Sequence, residues 1–252
     1  MTLRWVAQRL IQLGFVVLLA AAWHATTSRG TVSPLLLPPL GAVYHEFLGL
    51  VAAGKFWPDL AVSLYELLTA FFIAAGAGTI IGYLVSRSVY AIKVFDPLLA
   101  GVYAIPAILL FPLYVLYLGI GPASKIAMGA TIAFFPIVLN TIAGLHYVDR
   151  VYVKAARSMG ASPRQMYWSV MFPAAFPVML TGLRIGLILA FLSILGTETI
   201  ASFSGLGHRI VELGENMDTA TMFAYIIFVV LISILLNLAV SLANRLGRRG
   251  LA

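Results

Sequence analysis

Apolar residues run through this chain in six stretches, each about as long as the 20 or so residues a helix needs to cross a bilayer. That pattern leaves few alternatives. A soluble domain needs polar surface, and no polar segment here is long enough to enclose a core of its own. Hydrophobic residues fill 62% of the 252 positions and charged residues 10%, against roughly 45–50% and about 25% in soluble domains. The hydropathy predicts spans at residues 5–25, 60–85, 95–118, 124–145, 176–201 and 221–242. Pro106 and Pro112 interrupt the third, and Pro136 lies in the fourth. Between the first two spans, Pro38 and Pro39 open an interfacial helix at Leu40–Ala53. The first run follows Arg4 and Arg9, lacks a clear small-residue cleavage site and extends through Trp23, so it reads as a retained span. The expectation is an all-α integral membrane protein with six transmembrane helices, a single transmembrane domain over residues 1–252.

Lys and Arg beside span ends set the orientation, because cytoplasmic loops carry the excess. Arg4, Arg9, Arg87, Lys93, Arg150, Lys154, Arg157, Arg164, Arg245, Arg248 and Arg249 fall on one side. Arg29, Lys55, Lys125 and Arg209 fall on the other, a ratio of 11 to 4 with Arg184 inside a span. The richer side reads as cytoplasmic and holds both termini. Glu46, Asp59, Glu212, Glu215 and Asp218 collect on the outer side. The net charge of +7 is thus a property of span flanks and implies no nucleic-acid partner. Cysteine is absent, which removes disulfide and thiolate chemistry. The four histidines are scattered, no H-E-x-x-H occurs, and no metal site is expected. Neither a G-x-x-x-x-G-K-[ST] phosphate loop nor a G-x-S-x-G elbow is present, so no enzyme is expected. If ATP drives the protein, a separate chain hydrolyses it.

One polar island, residues 149–173, separates the fourth and fifth spans. Asp149 suits the N-cap of a helix that starts at Arg150, and Gly160 suits the left-handed residue that ends it. Ser162 then caps a second start with Pro163 at its first position. A mere connector needs no capped helices. A rigid surface offered to a soluble partner does. Val151, Ala155 and Met159 share one face by their i, i+4 spacing and can dock, while Arg157 lies off that face and can pair with acids.

Several polar residues sit at membrane depth. Glu198 in the fifth span must face protein or water. It reads either as a structural acid near the outer end, paired with Arg209 or capping the next loop, or as a group that touches solute or closes a gate. Arg184 on the same span snorkels to the interface or holds a partner carbonyl. Glu66 lies near the start of the second span, within reach of the outer interface. Asn140 reads as an interhelical hydrogen-bonding group, with a pore-lining role as the alternative. Tyr103, Tyr114 and Tyr117 lie on the proline-broken third span. Broken backbone is tolerated in a membrane only where it is buried in protein or lines a cavity. Tyr103 and Pro106 are therefore candidates for the wall of a solute pathway.

The island resembles the EAA loop of binding-protein-dependent ABC importer permeases, through Lys154-Ala155-Ala156, Gly160 and Val170-Met171-Phe172-Pro173 at the family spacing. Lys154 stands where the family has an acid. The segments SPLLLPPLGAVYHEF, IPAILLFPLYVLYLGIGPASKI, TGLRIGL and ETIASFSGLG are similar to the nitrate, sulfonate, taurine and bicarbonate branch of that family. Tyr103 stands where that branch often has Arg, and Tyr117 where it has Trp, which sets an aromatic or neutral heterocyclic solute beside a small anion. The resemblance implies a type I ABC importer permease fold and a homodimer in a bacterial plasma membrane. It implies two copies of a cytoplasmic ATPase, which would bind ATP and Mg while this chain holds no cofactor, and an extracytoplasmic substrate-binding protein. Residues 154–160 would be the coupling helix, with Val151, Lys154, Ala155, Ala156, Arg157, Met159 and Gly160 at the ATPase contact. A self-contained channel or secondary transporter is the alternative. It needs carboxylates near the midplane, whereas those here lie near span ends.

Overall fold

Helix is the only regular structure among the described residues, as a bilayer requires of a chain that must satisfy its own backbone. The computed structural model describes residues 2–249, with the side chains of residues 2–6, 8, 9, 240 and 242–249 outside the description. The flanking cations Arg4, Arg9, Arg245, Arg248 and Arg249 fall among those excluded side chains. The helices are α1 (Thr2–Ser28), α2 (Leu40–Ala53), α3 (Phe56–Ser86), α4 (Val89–Tyr103), α5 (Phe111–Leu118) and α6 (Pro122–His146). They continue with α7 (Arg150–Ser158), α8 (Pro163–Gln165), α9 (Phe172–Ile200), α10 (Leu206–Glu215) and α11 (Thr219–Arg249).

Five helical segments are long and apolar enough to cross a membrane: Leu10–Ser28, α3, α6, Pro163–Ile200 and Thr219–Ala239. The third expected span is a pair, α4 and Ala107–Leu118, bent by 77°, and it brings the count to six when taken as one crossing. Only one of its prolines breaks it. Pro97 sits inside α4 without ending it, and Pro112 falls in the first turn of α5, where a missing N–H costs nothing. Pro106 is at the break. It has no N–H to offer, and the carbonyl of Val102 accepts from Ile105 at 3.1 Å instead. The interruption expected at Pro112 is therefore a helix start. The fifth span also begins earlier than its hydropathy suggests. The helix opens at Pro163 and passes through a π-helical turn, Met166–Met171, into α9. Pro173 cannot donate to the carbonyl four residues back, and the ladder is reset just before it.

The chain divides into two contact units, one of residues 1–58 and 209–230, the other of residues 59–208 and 231–252. In the first, α2 buries Val43 and Leu50, and rings accumulate around Phe228, which stacks on Phe47 at 4.3 Å and on Phe56 at 3.9 Å. Trp23 donates its indole N–H to the carbonyl of Pro38 at 2.9 Å and meets Phe223 edge-on.

The second unit is built on α6, which lies between α3 and α9. Glycines let the backbones approach. A Cβ added at Gly82 would fall 2.6 Å from Thr141 Cβ, and one at Gly78 would fall 2.8 Å from Ile137 Cγ2. On the other flank, added Cβ atoms at Gly182 and Gly186 would fall 2.6 Å from Asn140 Cβ and 2.7 Å from Ile137. Ile137 is thus enclosed by glycines of two helices and is fully buried. Small residues at helix contacts are how membrane helices gain dispersion energy without a hydrophobic drive between them.

Candidate functional site

The island folds from its own local signals. The Asp149 carboxylate accepts from the N–H of Val151 at 2.9 Å and starts α7. Gly160 adopts φ 74° and ends it, with the N–H of Ala161 donating to the carbonyl of Ala156 at 3.1 Å. Ser162 and Gln165 form a reciprocal capping box for the next start. Helix α7 is strongly two-faced. Val151, Lys154, Ala155, Arg157, Met159 and Gly160 are exposed, Met159 to 79% and Val151 to 66%. Ala156 alone among the family-matched residues is buried, at 3%. It lines a groove of about 660 Å³ between α7 and the helix that follows, with Tyr152, Val170, Pro173, Ala174 and Pro177 in the wall.

The pathway candidates divide between separate places. Tyr103 and Pro106 line one cavity of about 290 Å³ at the α4–α5 break, with Ile105, Ile132, Phe135 and Leu189. Tyr103 is half-exposed and stacks on Phe135 with ring centres 5.9 Å apart. The lining carries no charged group. Asn140 belongs elsewhere. Its amide N–H donates to the carbonyl of Pro136 in its own helix at 2.8 Å, so the expected bond to another helix is not made. The side chain turns back because Gly182 of α9 brings main chain against it. Arg184 donates to the side-chain carbonyl of Asn237 at 2.6 Å, which matches the partner-carbonyl reading.

Glu198 sits in a buried polar cluster. Its Oε1 accepts from Ser63 Oγ at 2.6 Å and its Oε2 from the N–H of Gly207 at 2.7 Å. Ser63 Oγ in turn accepts from the N–H of Leu206 at 2.9 Å. Leu206 and Gly207 begin α10, so a hydroxyl and a carboxylate from α3 and α9 satisfy N–H groups that a helix start leaves unpaired. This is the loop-capping role, and Arg209 pairs with Glu212. Gly205, at φ 107°, and Gly207 are required here, because a Cβ on either would press into the Glu198 side chain. Beside this lies an ion pair. Lys125 Nζ is 2.5 Å from Glu66 Oε1, with 1% and 0% of the two side chains exposed. Lys125 also donates to Ser202 Oγ at 2.8 Å, and Ser202 donates to the carbonyl of Ser204 at 2.7 Å. Glu66 and Glu198 interact electrostatically with each other and with the same ammonium.

Two expectations are corrected by this cluster. Lys125 is an internal ion-pair partner and not a cation of the outer flank. Glu66 is sealed from solvent. Hydropathy marks each as a residue near a span end and says nothing of their meeting. The usable signal was topological: the starts of the second and fourth spans and the end of the fifth lie on the same side. Ser63 and Glu66 also share a face of α3 by i, i+3 spacing.

The profile of binding-protein-dependent transport system inner membrane components matches residues 74–251. The chain belongs to that family. It is a permease subunit of an ABC importer and not an enzyme. It is 32% identical over 249 residues to the taurine transport system permease protein TauC of Escherichia coli, covering 96% of this chain and 90% of the relative. It is 32% identical over 225 residues to a putative aliphatic sulfonates transport permease protein, SsuC, of Bacillus subtilis, covering 89% and 82%. Among solved structures, an amino acid ABC transporter crystallised with histidines superposes with a TM-score of 0.63 at 22% identity, over 81% of this chain and 98% of that one. An inward-facing MetNI methionine transporter gives 0.61 at 21% identity, over 73% and 94%. The fold of the permease is that of type I importer subunits.

The ion pair predicts a specific stability pattern. Lys125→Met leaves buried carboxylates without their cation and should destabilise the permease by about 3–5 kcal/mol. Lys125→Met combined with Glu66→Gln should recover most of that loss. Thermal unfolding in detergent, followed by tryptophan fluorescence, measures both, and equal losses in the single and double variants would contradict the pairing.

Proposed function

We propose that the permease works as a homodimer in a bacterial inner membrane, importing a small organic solute delivered by an extracytoplasmic binding protein. Two cytoplasmic ATPases, which hold the ATP and Mg, engage α7. The observation that carries this reading is the capped helix between α6 and α9, whose Val151, Lys154, Ala155, Arg157 and Met159 side chains are exposed among the described residues. Val151, Ala155 and Met159 offer apolar contact, Lys154 and Arg157 offer charge, and Ala156 anchors the helix against the groove behind it. Gly160 fixes the exit. A Cβ there meets no neighbouring atom within 4 Å, and a valine strains the backbone by about 1 kcal/mol or more at φ 74°. Gly160→Val should reach the membrane in normal amount yet lose ATPase attachment or transport-coupled hydrolysis. Full transport with normal ATPase stimulation would reduce the island to a connector.

Two relatives carry taurine and, putatively, aliphatic sulfonates in their names. The lining of the cavity at the α4–α5 break carries no cation to pair a sulfonate and suits the carbon part of a small organic solute, where the ring of Tyr103 faces carbon and its hydroxyl offers one hydrogen bond. Tyr103→Phe keeps the volume and removes the hydroxyl. The variant should assemble normally and change the solute-stimulated turnover. Unchanged turnover, together with unstable assembly of Tyr103→Ala, would assign the residue to packing.

The orientation follows from the cations at the span ends, with Lys125 removed from the outer count. Both termini and α7 then face the cytoplasm. On this cysteine-free chain, Ser162→Cys should react with an impermeant maleimide only after permeabilisation, and Ser204→Cys from outside the intact cell. Reaction of both from outside would overturn the topology.

A further inference from the structure

We infer that the buried cluster of Ser63, Glu66, Lys125 and Glu198, with the half-buried Ser202, is the far-end clamp of a lever whose near end is α7. Its positioning residues make movement of α7 reach the turn between α9 and α10. The inference rests on the proposed docking of an ATPase on α7.

The lever is drawn by chain order and packing. Helix α7 joins the end of α6 to the start of the helix that becomes α9. These two helices then run together, held by Gly182 and Gly186 against Asn140 and Ile137. At 1.5 Å per residue, the 25 residues of α6 span about 37 Å, more than the roughly 30 Å hydrocarbon depth of a bilayer. At the far end the same two helices are tied again. Lys125, in the first turn of α6, reaches Glu66 on α3 and Ser202 just beyond α9. Glu198, in the last turn of α9, takes Ser63 on α3 and the N–H of Gly207. Residues 200–207 thus have polar anchors on three helices, and none of the anchoring side chains from α3, α6 and α9 is exposed.

A tie of this kind is stiff for a physical reason. Separating any member leaves a buried charge or N–H without its partner, which costs far more than sliding apolar surfaces past each other. Displacement of α7 that reaches the tied stretch of α6 and α9, beyond the π-helical turn at Met166–Met171, is therefore delivered to the turn between α9 and α10 as movement of the tied helices together. An acid–base pair alone would join only two helices. The two serines extend the tie to the turn. Ser202 links the ammonium to the carbonyl of Ser204, and Ser63 links the Glu198 carboxylate to the N–H of Leu206.

The test uses the whole importer, the permease with its ATPase and binding protein, in lipid nanodiscs. Ser204 is exposed, and Ser204→Cys is the probe in this cysteine-free chain. Its rate of reaction with an impermeant maleimide is measured without nucleotide and with ATP trapped by vanadate. With the cluster intact the two rates should differ by about fivefold or more, the size of an ordinary allosteric coupling. In Ser63→Ala, and independently in Ser202→Ala, the rates should converge to within about twofold while the ATPase still copurifies stoichiometrically. Gly196→Ala lies on α9 in open space and should keep the full difference. A difference that persists undiminished in both assembled serine variants, or that is missing with the cluster intact, overturns the lever alone. Failure of the ATPase to copurify with the unmodified permease overturns the docking reading and the lever with it.

Discussion

The close approach of α6 to α3 and α9 is the constraint on which the rest of this unit depends. Lipid tails are as apolar as leucine, so burying leucine between helices gains little in a bilayer. What remains is dispersion, which needs contact, and contact needs small residues. Gly78 and Gly82 on one side and Gly182 and Gly186 on the other supply it. Beside these glycines the polar residues of α6 turn back to their own helix. Thr141 donates to the carbonyl of Ile137 at 2.7 Å and Asn140 to that of Pro136, both within their own helix. Tyr114 and Thr131 show the contrast: where α5 lies against α6, their hydroxyls meet between helices at 2.8 Å.

The buried cluster is not explained by stability alone. Replacing a buried ion pair with apolar side chains of similar volume is often neutral or favourable, whereas removing one member is costly. What the charges add is specificity of arrangement. An apolar contact tolerates a shift along the helix axis, but Lys125 can meet both Glu66 and Ser202 in only one register. The α10 start adds a second condition, because the N–H groups of Leu206 and Gly207 need acceptors that α10 itself does not supply. The cluster therefore fixes the axial positions of α3, α6 and α9 together, at the end of the unit farthest from α7.

Local chemistry was readable from the chain and long-range pairing was not. Asp149, Gly160, Ser162 and Pro163 act within three residues of themselves, and the structure uses them as caps and stops in the way their types suggest. The prolines were harder. Pro106 and Pro112 look alike in sequence, yet one breaks a helix and the other opens one, because the cost of a missing N–H depends on whether a turn precedes it. Helix α10 has a weak signal in the sequence because it is short and carries Gly207 and Gly214, and one acceptor at its start, Ser63, lies 143 residues away. Lys125 was the largest misplacement. Beside the sequence Gly-Pro-Ala-Ser it reads as a loop cation, and only its burial against Glu66 assigns it to the interior.

Stiffness and compliance are distributed unevenly, and that distribution bears on transport. The α3–α6–α9 core is held by glycine contacts along its length and by charge at one end. The regular backbone is interrupted elsewhere, at the 77° break before Ala107 and at the π-helical turn where the island meets α9. A π turn holds one residue more than the ladder around it needs, and a proline break holds one bond fewer. Both can change dihedral angles without giving up a full set of hydrogen bonds, while the core cannot. A rigid core bordered by two such joints, one beside the cavity that Tyr103 lines and one beside α7, is free to shift as one body when they bend.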